Sequence, residues 1–301
     1  MKAITAKFGV VLVCGAGAAL AAGAMMTSSS QSESSAPAPS DVRSNEARVE
    51  RAPCALGDPD AGGCLIDPPV VLSPMAAVTN PPFRLLCREM GAGMVVTEMI
   101  NARLLVENGP EACKWLDLRP EEHPVSVQLY GKDPETLAAA ARIVEQEGAN
   151  AVDLNMGCPM KKVTSSGYGA ALLEDPGKVY EIFSAMSEAV TIPVTGKMRA
   201  GWEESSAVEV ALEMERAGAA GITIHGRTRS EGYNGHADLQ VIRDLVESVQ
   251  IPVIGNGDVR DHITARRMFS ITGCAAVMVA RGALGNPWVF REIAADLAGE
   301  P

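Results

Sequence analysis

The stretch Ala151-Val-Asp-Leu-Asn-Met-Gly-Cys-Pro159 decides the fold. Its first residues have strand character, and they run into a polar turn that contains Cys158. In a parallel α/β protein such a turn lies at the carboxyl end of a strand, where catalytic groups collect. Asp153 alternates with apolar neighbours, so we expect it to point into a barrel interior, with Asn155 and Cys158 on the rim. By itself, the Cys158 thiol is compatible with a nucleophile, a metal ligand, a proton donor or a small buried side chain.

The bulk composition is typical of one large α/β protein. The chain has 301 residues, of which 47% are hydrophobic, 21% charged and 4% aromatic, and this length is enough for a large single core. The net charge of -11 argues against a protein that holds nucleic acid by overall attraction. The seven cysteines contain no Cys-x-x-Cys pair and no His/Cys cluster at zinc spacing, so we predict no metal site.

The amino-terminal region differs in amino-acid composition from the rest of the chain. Residues 1–26 carry lysines before an apolar stretch, which is typical of a secretory signal or a weak membrane anchor. A start codon placed too far upstream is the alternative, and membrane contact is expected only if the segment is made. Residues 27–68 are rich in Ser, Ala, Pro and acidic residues, so we predict a disordered linker without secondary structure. Within it, Cys54 and Cys64 are candidates for a disulfide if the chain is exported.

From Val70 onward, short apolar runs of strand length alternate with longer segments of helical period. Eight alternations over about 230 residues predict a (β/α)8 TIM barrel spanning residues 69–301. A doubly wound sheet is the alternative, which the lack of a G-x-G-x-x-G after the first strand disfavours. The predicted strands are Val70–Ser73, Met94–Thr97, Val125–Leu129, Ala151–Leu154, Val194–Met198, Gly221–Ile224, Pro252–Ile254 and Ala275–Val279. The predicted helices include Pro134–Glu147, Pro176–Ala189, Ser205–Ala217 and Asp261–Ser270.

Every predicted strand runs into polar residues or into glycine- and proline-containing turns. In a barrel these segments share one rim, so the pattern predicts a functional site there. The segments are Pro74-Met75-Ala76, Glu98-Met99, Gln128, Asn155 to Cys158, Lys197 with Arg199, His225 with Arg227, Asn256-Gly257-Asp258 and Arg281-Gly282.

Two of these segments resemble phosphate-binding loops. They are Gly255–Asp258 and Ala280–Pro287, which follow the seventh and eighth strands, where barrels often bind phosphate through backbone N–H groups. Arg281 adds a bidentate partner for the anion. With a lysine at the end of strand five and a glutamine at the end of strand three, the set indicates flavin mononucleotide, because a cation stabilises the reduced ring and an amide pairs with its pyrimidine edge.

Several motifs resemble those of the tRNA-dihydrouridine synthases, most closely the bacterial branch. The likeness covers roughly residues 69–293 and follows the family's order. It implies an FMN enzyme that reduces the C5–C6 double bond of particular uridines in tRNA, with NADPH as reductant, in the cytoplasm. The motifs are Ser73-Pro-Met-Ala-Ala-Val-Thr-Asn-Pro-Pro-Phe-Arg84, Asp153-Leu-Asn-Met-Gly-Cys-Pro159, Gly169-Ala-Ala-Leu-Leu173, Lys197-Met-Arg-Ala-Gly-Trp202, Ile224-His-Gly-Arg-Thr-Arg229, Pro252-Val-Ile-Gly-Asn-Gly-Asp258 and Arg281-Gly-Ala-Leu-Gly-Asn-Pro-Trp288.

The resemblance also implies residue roles. Cys158 becomes the general acid that protonates carbon 5, and Asn155 holds the uracil, while Arg199 and Arg227 contact nucleic acid. The residues implied for the flavin lie along the ring (Pro74, Met75, Ala76), hold or approach it (Gln128, Lys197, His225), or surround the ribityl chain and phosphate (Asn256, Gly257, Asp258, Ala280, Arg281).

The chain departs from the family pattern in three respects. Ala77 and Ala280 stand where the family usually has glycine, and the chain stops at Pro301, before the helical domain that grips tRNA in the family. With few rim cations, we therefore expect the chain to bind tRNA weakly. We also expect it to be a monomer. Two other functions stay open: a related FMN barrel oxidoreductase acting on a small pyrimidine or enone, and a non-catalytic relic that binds FMN or RNA. The rim cations are Lys161, Lys162, Lys197, Arg199, Arg227 and Arg229.

Overall fold

Strands and helices alternate along residues 51–300, the part of the chain that this computed structural model describes. The strands are β1 (Cys54–Leu56), β2 (Cys64–Ile66), β3 (Val70–Leu72), β4 (Met94–Val96), β5 (Ile100–Asn101), β6 (Val125–Tyr130), β7 (Ala151–Met156), β8 (Val194–Arg199), β9 (Gly221–His225), β10 (Val253–Asn256) and β11 (Ala276–Val279). The α-helices are α1 (Pro81–Glu89), α2 (Ala102–Asn108), α3 (Pro134–Gln146), α4 (Lys161–Thr164), α5 (Pro176–Ser187), α6 (Ala207–Arg216), α7 (Leu239–Ser248), α8 (His262–Thr272) and α9 (Val289–Ala298).

Eight of these strands close into a parallel barrel. The order is β3, β4, β6, β7, β8, β9, β10 and β11, and β11 pairs again with β3, while the short β5 adds to the upper end of β6. Each predicted barrel strand corresponds to one of the eight, with its ends shifted by one or two residues at most. The predicted TIM barrel is confirmed, and the doubly wound sheet is not formed.

Helix starts follow the capping residues of the sequence. Asp133 accepts a hydrogen bond from the backbone N–H of Thr136, and Asp175 accepts one from that of Lys178. In each case a proline occupies the first turn, where its missing N–H leaves no hydrogen bond unmade. These caps place the helix starts, and hence the loops of the rim, at fixed points.

The buried residues form an apolar layer outside the barrel strands and, inside the barrel, an apolar part and a polar part. One apolar layer fills the space between the strands and the surrounding helices. Inside the barrel, a second cluster contains Val71, Met94, Val96, Ile254, Ala276 and Met278. The rest of the interior is polar, and its buried members include Ser126, Gln128, Asp153, Asn155, Thr195, Thr223, His225 and Asn256.

The hairpin of β1 and β2 corrects one prediction. Its Leu56 and Ile66 side chains are fully buried and belong to the interior cluster of the barrel. Leu56 packs beside Gly221, the first residue of β9, so the hairpin covers the amino-terminal end of the barrel. The predicted linker without secondary structure is therefore wrong for residues 54–66. Strands of three residues are too short to show a period, and burial against the barrel stabilises them.

The hairpin cysteines are free thiols. Cys54 lies opposite Ile66 and Cys64 lies opposite Leu56, so the two cysteines are not cross-strand partners. Burial raises the pKa of Cys54 to about 12 and that of Cys64 to about 11, which makes both thiols poor nucleophiles. The disulfide considered for an exported chain is not formed.

The signal-like segment 1–26 and the linker up to residue 50 lie outside the described residues. Within residues 51–300, no helix has both the length and the apolar character that a membrane crossing requires.

Candidate active site

A cavity of about 360 Å³ opens at the carboxyl ends of the barrel strands. This volume lies within the range of ligand-binding pockets. Every residue to which the family resemblance gave a role lines the cavity, except Arg227, and of the predicted rim segment Glu98-Met99 only Met99 does so. The predicted residues brought together are Pro74, Met75, Ala76, Gln128, Asn155, Cys158, Lys197, Arg199, His225, Asn256, Gly257, Asp258, Ala280 and Arg281.

The Cys158 loop is fixed from two sides. The side-chain Oδ1 of Asn155 accepts hydrogen bonds from the backbone N–H of Cys158 at 3.0 Å and of Gly157 at 3.3 Å. On the other side, Arg199 Nε donates to the Gly157 carbonyl at 2.8 Å. Asn155 itself is the second-last residue of β7, where its side chain is buried and lines the cavity. The half-buried thiol is thus presented to the cavity on a restrained loop.

Asp153 points into the barrel interior, as the alternation in its strand predicted. Its two carboxylate oxygens accept hydrogen bonds from Gln128 Nε2 and Thr195 Oγ1, both at 2.7 Å. Burial raises its pKa to about 6, against the opposite effect of these two hydrogen bonds. Gln128 Oε1 in turn accepts from Asn155 Nδ2 at 2.8 Å.

Lys197 extends from β8 to the neighbouring polar group. Its Nζ donates to Asn256 Oδ1 at 3.0 Å, and Asn256 Nδ2 donates to the Met278 carbonyl at 2.8 Å. Burial and the nearby Arg199 lower the pKa of Lys197 to about 8. Within residues 51–300 the ammonium forms no ion pair, so it is a cation whose charge an anionic ligand can neutralise.

His225 is held as a neutral imidazole. Burial, together with the charges of Lys197, Arg199 and Arg227, lowers its pKa to about 2. Arg227 Nη1 lies 3.2 Å from His225 Nε2. Because a guanidinium only donates, Nε2 accepts and the proton of the ring is on Nδ1.

Arg199 and Arg227 do not match the expected contact with nucleic acid. Their side chains are only 2% and 1% exposed. Arg199 Nη1 donates to the carbonyls of Thr228 and Gly232, and Arg227 donates to those of Asn234 and Gly235. Both guanidinium groups therefore fasten the loop after β9 through hydrogen bonds to its backbone carbonyls.

The phosphate-loop side of the cavity carries Arg281 and Asp258. Arg281 is half exposed, and its Nη2 lies 3.6 Å from Asp258 Oδ1. Although burial opposes it, the Ala237 N–H and the Arg227 guanidinium hold the pKa of Asp258 below its usual range. Asp258 Oδ1 is buried and has no hydrogen-bond partner among the described residues. This oxygen is an acceptor that a ligand hydroxyl can satisfy.

Sequence reasoning missed Tyr233. It lies on the loop after β9, 60% exposed, with its ring centroid 5.4 Å from the Arg199 guanidinium and 5.0 Å from that of Arg281. No motif marked it, because its place depends on the buried arginines that fold this loop back over the rim. Other missed lining residues include Met160, Val259, Arg260 and Met278.

The donors and acceptors of the cavity fit a flavin. A ring with an amide-like edge and a negative charge when reduced suits Gln128 and the unpaired ammonium of Lys197. A hydroxylated chain suits Asp258 Oδ1, which has no hydrogen-bond donor among the described residues, and a phosphate suits the half-exposed guanidinium of Arg281. Within the described residues, no group of three His, Cys, Asp or Glu side chains is arranged to hold a metal ion.

Solved structures with a similar backbone share only the barrel fold. A 2-naphthoyl-CoA reductase complex superposes with a TM-score of 0.64 at 12% identity, covering 84% of this chain and 52% of that one. A histamine dehydrogenase from Rhizobium sp. 4-9 gives a TM-score of 0.59 at 13% identity, covering 81% and 47%.

Sequence relatives are much closer. tRNA-dihydrouridine synthase B of Proteus vulgaris is 45% identical over 226 residues, which cover 74% of this chain and 70% of the relative. A probable tRNA-dihydrouridine synthase of Rhodobacter capsulatus is 44% identical over 238 residues, 78% of this chain and 74% of the relative. The model of the dihydrouridine synthase (Dus) family matches residues 71–300, the whole barrel. This chain therefore belongs to the dihydrouridine synthase family.

Proposed function

We propose that this chain reduces the C5–C6 double bond of uridines in tRNA to give dihydrouridine, using FMN as cofactor and NADPH as reductant. The observation that carries the proposal is one restrained thiol, Cys158, in the same cavity as the cation of Lys197 and the guanidinium of Arg281. The named relatives support the substrate class. Since tRNA and NADPH are cytoplasmic, we place the reaction in the cytoplasm.

The cavity residues divide into three groups around FMN. Gln128 and Lys197 would hold the ring, with Pro74, Met75 and Ala76 beside it and neutral His225 near it. Asn256, Asp258 and the backbone at Gly257 and Ala280 would face the ribityl chain, and Arg281 the phosphate. Held by these residues, FMN would supply hydride for carbon 6 of the uracil.

Lys197 would stabilise negative charge at the ring. Its lowered pKa of about 8 leaves it mostly protonated at neutral pH, and an anion beside it would favour the protonated form further. Its hydrogen bond to Asn256 fixes the ammonium without neutralising it. The charge is thus available where electron density builds up.

Cys158 would give the proton to carbon 5. Hydride addition to carbon 6 leaves an enolate, and one proton completes the saturated ring. The S–H of Cys158 lines the same cavity, so it is placed among the groups that can reach a bound ligand. The resulting thiolate regains its proton from water. Asn155 lines the cavity, and its amide keeps a second N–H beyond its bond to Gln128, which would hold the uracil carbonyl.

A smaller substrate is the second candidate. The two arginines expected to contact nucleic acid, Arg199 and Arg227, are buried, and the chain carries a net charge of -11. Both facts favour a related FMN barrel oxidoreductase that acts on a free pyrimidine or a small enone. A relic that binds FMN or RNA without turnover would hold flavin but reduce neither substrate.

The test compares substrates on one preparation. The purified chain with FMN and NADPH is incubated with unmodified tRNA transcript, with uridine monophosphate, or with cyclohexenone, and products are measured by nucleoside mass analysis or loss of enone absorbance. We expect dihydrouridine in the tRNA only. Reduction of the small substrates alone would favour the second candidate, and no product with flavin bound would favour the relic. Replacing NADPH by NADH tests the reductant separately.

A further inference from the structure

Asp153 does not line the cavity, yet it begins a hydrogen-bonded chain that ends at the Cys158 loop. The chain runs from the Asp153 carboxylate to Gln128 Nε2 at 2.7 Å and from Gln128 Oε1 to Asn155 Nδ2 at 2.8 Å. It ends where Asn155 Oδ1 accepts from the Cys158 N–H at 3.0 Å. Asp153, Gln128 and Asn155 are each less than a tenth exposed, so water does not compete for these bonds.

The orientation of both amides follows from the two ends of this chain. A carboxylate only accepts hydrogen bonds, so the NH2 group of Gln128 must face Asp153. A backbone N–H only donates, so the oxygen of Asn155 must face Cys158. Between them, the Gln128 oxygen meets the Asn155 NH2 group, and every hydrogen bond has one donor and one acceptor. Neither amide can flip without breaking a bond at one end.

We propose that Asp153 is a positioning residue for the proposed uridine reduction. By anchoring Gln128, and through it Asn155, it holds the loop that presents the Cys158 thiol next to the cavity. Gln128 and Asn155 themselves line that cavity. The same carboxylate therefore positions both the Gln128 amide on the cofactor side and the loop that carries the proton donor. The inference rests on the proposed function only for the role of Cys158; the restraint itself is a property of the ligand-free protein.

Three variants distinguish the effect of the hydrogen-bonded chain from other effects of changing its surroundings. Asp153→Asn keeps an oxygen for Gln128 and can donate to Thr195, so the chain is preserved although the charge is lost. Asp153→Leu keeps the branched shape, with methyl groups in place of the two carboxylate oxygens, and offers Gln128 no hydrogen-bond acceptor. Thr195→Val removes the other hydrogen bond of Asp153 and leaves the bond to Gln128 in place.

The measurement is the rate at which iodoacetamide modifies Cys158 in the native, ligand-free protein, followed by peptide mass analysis. With Asp153→Leu we expect this rate to rise about two- to tenfold, the effect of losing a hydrogen bond of ordinary strength. Asp153→Asn and Thr195→Val should stay near the wild-type rate. A Cys158 rate in Asp153→Leu that equals or falls below that of wild type would overturn the proposal.

The buried thiols of the same chain report on general destabilisation. Cys54, Cys64 and Cys87 are buried and their pKa values are raised, so they react only when the fold opens. In Asp153→Leu their rates should be unchanged while that of Cys158 rises. A parallel rise of all four rates would also overturn the proposal. Because no substrate or cofactor is added, the outcome does not depend on whether the chain reduces tRNA.

The same variants should also differ in how fast the protein with bound FMN reduces tRNA. Asp153→Leu should slow product formation on tRNA more than Asp153→Asn does, with FMN still bound to both. Equal slowing by the two variants would point to the lost charge instead of the lost hydrogen bond and would contradict the positioning role.

Discussion

Ala77 adopts a backbone conformation that favours glycine. Its φ is +61°, in the left-handed region, while its backbone N–H donates to the Glu98 carboxylate. A side chain in this region strains the backbone, and this explains why a glycine is typical of the related signature. The alanine methyl group is exposed, so its removal leaves no cavity.

We therefore expect Ala77→Gly to raise the free energy of unfolding by about 0.5–1 kcal/mol. Ala139→Gly, in the middle of α3, should lower it by about 1 kcal/mol, because glycine weakens a helix interior. Urea unfolding of both variants checks the opposite signs. A loss of stability in Ala77→Gly would contradict the strain argument.

Arg281 is the cation that we place at the flavin phosphate. Removing it in Arg281→Ala should weaken FMN binding by about 1.5–3 kcal/mol, or roughly 10–150-fold in Kd, as expected for a hydrogen bond to a charged group. Fluorescence titration of the ligand-free protein with FMN measures this change. The matched control is Arg291→Ala on α9, beside the Gly91 turn and away from the cavity. Equal affinities for the two variants would contradict the placement.

At the scale of elements, the barrel strands were predictable and the hairpin was not. Runs such as Val125–Tyr130 and Ala151–Met156 are bounded by turn residues, so their length and composition identify them. The segment 54–66 contains Gly, Pro and Asp around two short apolar triplets, and only the barrel makes these triplets strands. The roles of Arg199 and Arg227 escaped prediction for a related reason, because a sequence does not reveal which carbonyls a folded loop leaves without partners.

The hairpin should contribute to stability through its buried face. Leu56→Ala should lower the free energy of unfolding by about 2–5 kcal/mol, since it empties space inside the barrel end. Leu65→Ala, on the same hairpin but 47% exposed, should change it by about 0.5 kcal/mol or less. Urea unfolding compares the pair. A similar decrease in the free energy of unfolding in both variants would show that burial of Leu56 in the barrel end does not stabilise the protein.

At the scale of the whole molecule, we expect the charge distribution to limit tRNA binding. The net charge is -11, and Arg199 and Arg227 are buried, so phosphate contacts fall to exposed rim cations such as Lys161 and Lys162 on α4, next to the Cys158 loop. We expect weak binding of tRNA that declines as salt rises.

The double variant Lys161→Ala/Lys162→Ala should weaken tRNA binding and make the slope of log K against log salt less steep by about one per lysine. Titration of labelled tRNA at several salt concentrations measures both effects. Arg291→Ala, which removes an exposed cation that does not line the cavity, serves again as the control. An unchanged slope in the double variant would mean that tRNA lies on another surface.

The central claim is that Cys158 donates the proton in uridine reduction within a flavin-binding cavity. The most direct measurement mixes the flavin-reduced protein, without oxygen, with unmodified tRNA transcript and follows dihydrouridine by nucleoside mass analysis. We predict that Cys158→Ala retains FMN as the wild type does and forms dihydrouridine about 100-fold more slowly or worse, the usual effect of losing a general acid. Dihydrouridine formed by Cys158→Ala at the wild-type rate, with FMN bound, would contradict the account.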